Sequence, residues 1–220
     1  MEQRTAIVIG ATGLVGKQLV QLLLNDQRFS VVKILVRKSS GLFHQKLQEY
    51  IINFDAPEQW KHLVRGDVLF SALGTTLKQA GSKEAQYKID HSYQYNVAKA
   101  AADKGVAVYV LVSAAMSSVN SKIFYSRMKG ELERDIKQLP FQFIHIFQPG
   151  LLAGDRKQNR PVEKIGTAVI NFLNRFGIAR NQKPIDASIL AQAMINVSFK
   201  KRDRLNTYSL LQVFDQAKMM

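Results

Sequence analysis

The sequence predicts an α/β fold, a doubly wound parallel sheet with a small C-terminal lobe, and three observations predict it. Short β-branched runs alternate with amphipathic helical patterns over the first 150 residues, the order that puts parallel strands between two helical layers. The run Val106-Ala107-Val108-Tyr109-Val110-Leu111-Val112 is apolar throughout, as in a central strand buried on both faces. The first strand also runs directly into a glycine-rich turn and then a helix.

In chain order, Thr5–Ile9 forms the first strand, and further strands are expected at 31–36, 50–53, 67–71, 106–113 and 141–147. Helical periodicity places helices at 14–24, 57–64, 84–103, 123–137, 162–175 and 187–198. The last follows Pro184 and has Asp186 as its N-cap. Beyond Pro149-Gly150 come a charged segment, Asp155 to Arg160, two amphipathic helices and a short tail. A chain of 220 residues is long for one α/β unit and short for two domains. One domain is therefore expected, with a nucleotide-binding core at 1–150 and a small substrate or partner lobe at 151–220 lying over the crevice.

Composition narrows the chemistry. There is no cysteine, which excludes disulfides, iron–sulfur clusters and thiol catalysis. The histidines His44, His62, His91 and His145 have no ligand-like spacing, so no metal site is expected. No apolar stretch is long enough to span a membrane and no leader precedes the first strand, so the sequence reads as cytoplasmic. Lys and Arg total 31 against 17 acidic residues, a net charge of +14. Such a surface aids solubility or attracts an anionic ligand, an acidic partner, nucleic acid or lipid. The basic run Lys200-Lys201-Arg202-Asp203-Arg204 is interrupted by an acid and has no interleaved aromatic rings, which argues against a nucleic-acid platform.

The turn Gly10-Ala11-Thr12-Gly13-Leu14-Val15-Gly16 joins the first strand to the first helix. In that context each glycine has a mechanical purpose. Gly10 permits the turn, Gly13 lets a pyrophosphate approach, and Gly16 lets helix and strand pack closely. Thr12, Leu14 and Val15 complete a helix start whose N–H groups face the phosphates. The second strand ends in Arg37-Lys38, where an NAD-selective site would place a carboxylate on the ribose 2′-hydroxyl. Cations there suit a 2′-phosphate, so the cofactor expected is NADP(H), although a solvated strand end is the plain alternative. Asp55 is placed to meet the adenine amino group, and Ala72-Leu73-Gly74-Thr75 to lie under the adenosine and pyrophosphate. Turn formation explains both nearly as well.

Tyr125 and Lys129 stand one helical turn apart, so the ammonium can lower the phenol pKa. Ser113 ends the most apolar strand, where its hydroxyl can orient a substrate carbonyl. Tyr95 and Lys99 repeat the spacing without a serine at a strand end, and serve as an internal control for chance.

These features together resemble the short-chain dehydrogenase/reductase superfamily, a Rossmann-fold group related to NAD-dependent epimerases and dehydratases. Leu73-Gly74-Thr75-Thr76, Lys78-Gln79-Ala80-Gly81, Lys129-Gly130-Glu131-Leu132-Glu133, Gln148-Pro149-Gly150-Leu151-Leu152 and Asp155-Arg156 with Arg160-Pro161 are similar to its atypical CC3/TIP30-like branch. The resemblance implies NADP in the glycine crevice, with Tyr125 as general acid, Lys129 as its partner and ribose ligand, and Ser113 as carbonyl orienter. It also adds the Pro149-Gly150-Leu151 turn to the cofactor contacts. Asp90 stands where typical superfamily enzymes keep an asparagine for a water relay, as in the CC3-like branch, and an anion there opposes phenolate formation. Two functions follow. One is NADPH-dependent reduction of a small carbonyl or sugar-nucleotide-like substrate; the other is an NADP-binding sensor or scaffold for a protein partner. The resemblance implies a dimer face on helix 84–103, but its Lys and His content leaves monomer and homodimer both open.

Overall fold

The computed structural model describes residues 3–150, 152–153, 184–201, 203–209 and 211–218. The chain opens with β1 (Arg4–Ile9), α1 (Leu14–Asn25), β2 (Phe29–Val36) and β3 (Leu47–Ile51). Next come α2 (Pro57–Trp60), a 3-10 turn (Lys61–Leu63), β4 (Val68–Ser71), α3 (Leu77–Ala80) and α4 (Lys83–Tyr87). A π turn (Lys88–Ser92) leads into α5 (Tyr93–Asp103), followed by β5 (Val108–Val112), α6 (Phe124–Lys137) and β6 (Phe143–Gln148). The remaining described elements are β7 (Leu152–Ala153), β8 (Ile185–Asp186), α7 (Ala187–Val197), β9 (Leu205–Ser209) and α8 (Leu211–Ala217).

Seven strands form one parallel sheet in the order β3-β2-β1-β4-β5-β6-β9, and β7 pairs with β8 in a separate two-residue ribbon. This is the doubly wound arrangement the sequence predicts. The order of winding reverses between β1 and β4, where such sheets open a ligand crevice at the strand ends. Alternate side chains sort to opposite faces. Ala6 and Val8 pack with Leu19, Leu23, Leu190 and Met194 beneath α1 and α7. Ile7 and Ile9 pack with Val97, Ala101, Leu132 and Ile136 beneath α5 and α6. Both faces are dry, which is why the central strands read as unbroken apolar runs.

Several boundaries differ from the sequence expectation. β3 is placed at 47–51 instead of 50–53, with Leu47 opposite Val32 and Ile51 opposite Val36. As the outermost strand, paired on one side only, it leaves Ile51 63% exposed and offers little burial pattern to read. The expected single helix at 84–103 is α4, the π turn and α5, joined by a Tyr93 N–H to Lys88 carbonyl bond. β9 and α8 were not anticipated. Only Tyr208 of β9 is buried, so its polar alternation does not announce a strand. α7 begins as expected, with Asp186 accepting the Ser188 N–H at 2.7 Å. From the stretch assigned to a C-terminal lobe, α7 covers α1 and β9 extends the main sheet. The helix expected at 162–175 lies outside the described residues.

Candidate cofactor crevice and active site

The glycine turn fits a bound pyrophosphate. Gly10 has φ +79°, a conformation that costs glycine little, and a Cβ there would meet the backbone of Ala72 and Leu73. A Cβ on Gly16 would meet the Gly10 carbonyl, so only glycine lets α1 pack this close to β1. The turn is closed by the Gly13 N–H to Gly10 carbonyl bond at 2.9 Å. Gly13 is the N-cap of α1 and supplies no capping side chain, and no acid lies in the first turn. Thr12, Gly13 and Leu14 are exposed at this mouth, while Val15 and Gly16 are buried behind it. Uncapped N–H groups at the positive end of a twelve-residue helix form an anion-binding surface.

The loop after β4 forms the opposite wall. Ala72 hangs from β1 by its N–H to the Ile9 carbonyl at 3.0 Å. Further along, the Thr75 N–H donates to Asp90 Oδ2 at 2.8 Å and Gln86 Nε2 donates to the Thr75 carbonyl at 3.2 Å. A Cβ on Gly74 would lie 3.1 Å from Asp90 Oδ1. The predicted residues Gly10, Gly16, Ala72, Leu73, Gly74, Thr75 and Asp90 are thus brought into one wall-to-wall arrangement. The π turn builds it: the widened turn leaves the Asp90 carbonyl to Gln94 Nε2, at 2.6 Å, and Gln94 Oε1 accepts from Ser71 at 2.6 Å. Such turns recur at functional sites because they re-aim one side chain within a helix.

Asp90 aims at Lys129. The two form an ion pair at 3.1 Å with side chains 1% and 4% exposed. Burial presses the Lys129 ammonium pKa down, but Asp90, helped by Tyr125 and Glu133, outweighs it and holds the value above its ordinary one. Lys129 Nζ lies 5.9 Å from the Tyr125 ring centroid. The phenol pKa is raised: burial pushes it up, Lys129 draws it down, and Asp90 pushes it up again. Tyr125 therefore stays a protonated donor at neutral pH, although the Tyr–Lys spacing alone points the other way. Taken as a whole residue, Tyr125 is 37% exposed. Ser113 is buried, and its hydroxyl donates to Glu133 Oε1 at 2.5 Å and stands 3.1 Å from Ser117 Oγ. Between Ser113 and α6, Met116 adopts φ +61°, an uncommon angle for a side chain of its kind.

The other expected residues are placed as follows. Arg37 and Lys38 are exposed at the end of β2 and, among the described residues, make no hydrogen bond or ion pair. Asp55 is bound by Lys88 at 2.7 Å and by the Tyr93 hydroxyl at 2.9 Å, so the expected adenine contact competes with partners the sequence did not indicate. Pro149 accepts the Ala115 N–H at 3.0 Å and ties the β6 end to the Ser113 loop, with Gly150 beside it; Leu151 lies outside the described residues. Sequence reasoning missed Glu133, Gln86 and Gln94. Glu133 was visible as the position one turn beyond Lys129; the two glutamines carried no signal.

Fold and crevice together define a Rossmann-type, nucleotide-binding domain. A profile of the family described as NAD(P)H-binding matches residues 10–173, and the chain belongs to that family. It is similar to the protein named fmp52, mitochondrial, of Aspergillus clavatus, at 33% identity over 88% of this chain and 86% of that one. It is similar also to its namesakes from Eremothecium gossypii (38% identity over 77% and 75%) and Candida albicans (32% over 89% and 88%). Among solved structures, the Bordetella bronchiseptica enzyme WbmH in complex with NAD+ aligns with TM-score 0.71 at 14% identity, covering 94% of this chain and 75% of that one. The UDP-N-acetylglucosamine 4-epimerase of Methanobrevibacter ruminantium aligns with TM-score 0.70 at 15% identity, over 96% and 77%. At such identities the likeness is one of fold. The relatives overturn the cytoplasmic expectation, since all three are named mitochondrial. That expectation rested on the position of the first strand and on the lack of a membrane span, and neither identifies a compartment. Among the described residues no helix is long and apolar enough to cross a membrane.

Proposed function

We propose that the protein is an NADPH-dependent reductase of a small carbonyl or sugar-nucleotide-like compound, located in mitochondria like the relatives it resembles. The observation that carries the catalytic part is the Tyr125 phenol, kept protonated beside a buried Lys129–Asp90 pair that borders the glycine crevice. When bound, the cofactor supplies the hydride. Tyr125 is then the proton donor to the carbonyl oxygen, and Lys129, with its charge held by Asp90, steadies the phenol from below. Preference for NADP rests on Arg37 and Lys38, which stand free where a carboxylate would select NAD. Tyr125→Phe should abolish NADPH oxidation by aldehydes and ketones while leaving NADPH affinity within about twofold. Undiminished turnover in that variant would sink the assignment. Placement is checked by fractionating cells that express the tagged protein; a signal confined to the cytosol would refute it.

One observation favours a second reading. Lys129 spends its charge on Asp90, 3.1 Å away, which supports a protein that binds NADP as a structural or regulatory ligand for a protein partner. Tight NADPH binding with no oxidation against a panel of carbonyl compounds, in wild type and Tyr125→Phe alike, would favour it.

A further inference from the structure

The Ser113 hydroxyl has one hydrogen, and its destination decides what the crevice can recognise. Glu133 takes it, at 2.5 Å. Gln148 Nε2 donates to both Glu133 oxygens at 3.0 Å, and Lys137 Nζ lies 3.8 Å away. With amide hydrogens reaching both oxygens and an ammonium nearby, Glu133 meets only donors and is the acceptor in this network. The neighbouring Ser117 hydroxyl donates to the Ala114 carbonyl at 2.7 Å. Neither serine therefore has a hydrogen left for a ligand's carbonyl oxygen; what Ser113 has left is lone pair.

We infer that Glu133 sets the ligand class of this crevice: by accepting the Ser113 hydrogen it makes Ser113 a hydrogen-bond acceptor, so the ligand carries an O–H or N–H donor beside its carbonyl group. The charge pattern agrees. Along one stripe of α6, Tyr125, Lys129 and Glu133 follow at four-residue steps, and Asp90 meets Lys129 from the π turn. Two buried carboxylates flank one buried ammonium, which makes this pole acceptor-rich and receptive to donors. Tyr125 donates to the carbonyl oxygen, and Ser113 accepts from the adjacent hydroxyl, amine or amide. A hydroxy- or aminocarbonyl compound satisfies both groups, whereas a simple ketone leaves Ser113 unpaired. Glu133 acts through Ser113 and is a positioning residue.

The inference rests on the NADP-crevice reading, and the test separates the two. NADP+ binding to the intact protein is measured first by calorimetry. On the NADP+ complex, benzamide and acetophenone are then compared by ligand-observed NMR titration. They are nearly the same shape, but benzamide offers N–H donors where acetophenone has a methyl group, and neither can be reduced by NADP+. Wild type should bind benzamide roughly five- to tenfold tighter, the worth of one hydrogen bond. Glu133→Gln, whose amide can donate to Ser113 and free its hydrogen, should close or reverse that gap; Ser113→Ala should also close it. The wild-type comparison stands alone if either variant fails to fold. NADP+ binding together with acetophenone bound as tightly as benzamide, with neither probe bound, or with a preference unchanged in a folded Glu133→Gln protein, overturns this inference alone. Failure of NADP+ itself to bind overturns the cofactor reading and this inference with it.

Discussion

Asp90→Asn tests the electrostatic centre of the site. At 3.1 Å the pair attracts with about 5 kcal/mol at the effective dielectric of about 20 suited to protein sites. The asparagine Oδ1 can still accept the Thr75 N–H, so the wall of the crevice is kept and the charge alone is lost. Lys129 then keeps only the smaller raising influences of Tyr125 and Glu133 against burial, the largest influence on it, and its pKa is expected to fall below the ordinary 10.5. Neutralising it at pH 7 caps the cost at about 5 kcal/mol, and breaking buried pairs costs about 3–5 kcal/mol. The sign of the pH dependence inverts. In wild type the raised Lys129 pKa gives stability that is complete below 10.5 and lost as pH rises through the folded value. In the variant the lowered pKa makes the unfolded chain bind more protons below 10.5, so stability rises with pH. Urea unfolding at pH 7 and pH 9.5 should therefore show a deficit of about 3–5 kcal/mol that narrows markedly at the higher pH. Adding Lys129→Met should recover much of it. A deficit under about 1 kcal/mol, or one equal at both pH values, would refute the pairing as the organising interaction.

Two further outcomes follow from named residues. His145 is fully buried on β6, its Nδ1 3.2 Å from the Tyr208 hydroxyl, and burial with help from Lys200 pushes its pKa down from 6.5 to about 4. Its contribution is complete above pH 6.5 and lost as pH falls to 4, about 3 kcal/mol at about 1.4 kcal/mol per pH unit; urea midpoints at pH 7, 5.5 and 4.5 should lose this slope in His145→Leu, and an identical slope would count against it. Arg37→Glu should weaken NADPH by about 2 kcal/mol, roughly thirtyfold, and leave NADH nearly unchanged; an unaltered ratio of the two dissociation constants would remove Arg37 from the selectivity argument.

How much of this was legible depends on how local the cause is. The β1–glycine–α1 unit could be read because each glycine answers a contact within a few residues, such as Gly16 against the Gly10 carbonyl. β5 could be read because burial on both faces leaves an unbroken apolar run. The internal control also separates: Lys99 makes a surface pair with Asp103 at 3.2 Å and is 55% exposed, whereas Lys129 is buried against Asp90. The π turn could not be read, because one residue's worth of extra winding leaves the apolar pattern of 84–103 intact while turning Asp90 inward. Nor could β9, an edge strand whose pairing partner lies some 60 residues earlier. The fate of the Ser113 hydrogen depends on Glu133 and Gln148, from different elements, and no single spacing encodes it.

The covering of α1 sets an order of events on the ribosome. The helix that offers its N-terminus to phosphate is among the first made, yet its outer flank is closed by Leu190, Ala191 and Met194 of α7. Arg4 in β1 reaches across 194 residues of sequence to the Ser198 carbonyl, at 2.8 Å. Six strands of the main sheet can therefore emerge before this helix has its backing, and until then its apolar flank stands open to solvent. Contacts this distant in sequence slow folding. A nucleotide held at one end of α1 would accordingly report on whether α7, made much later, has packed against its flank.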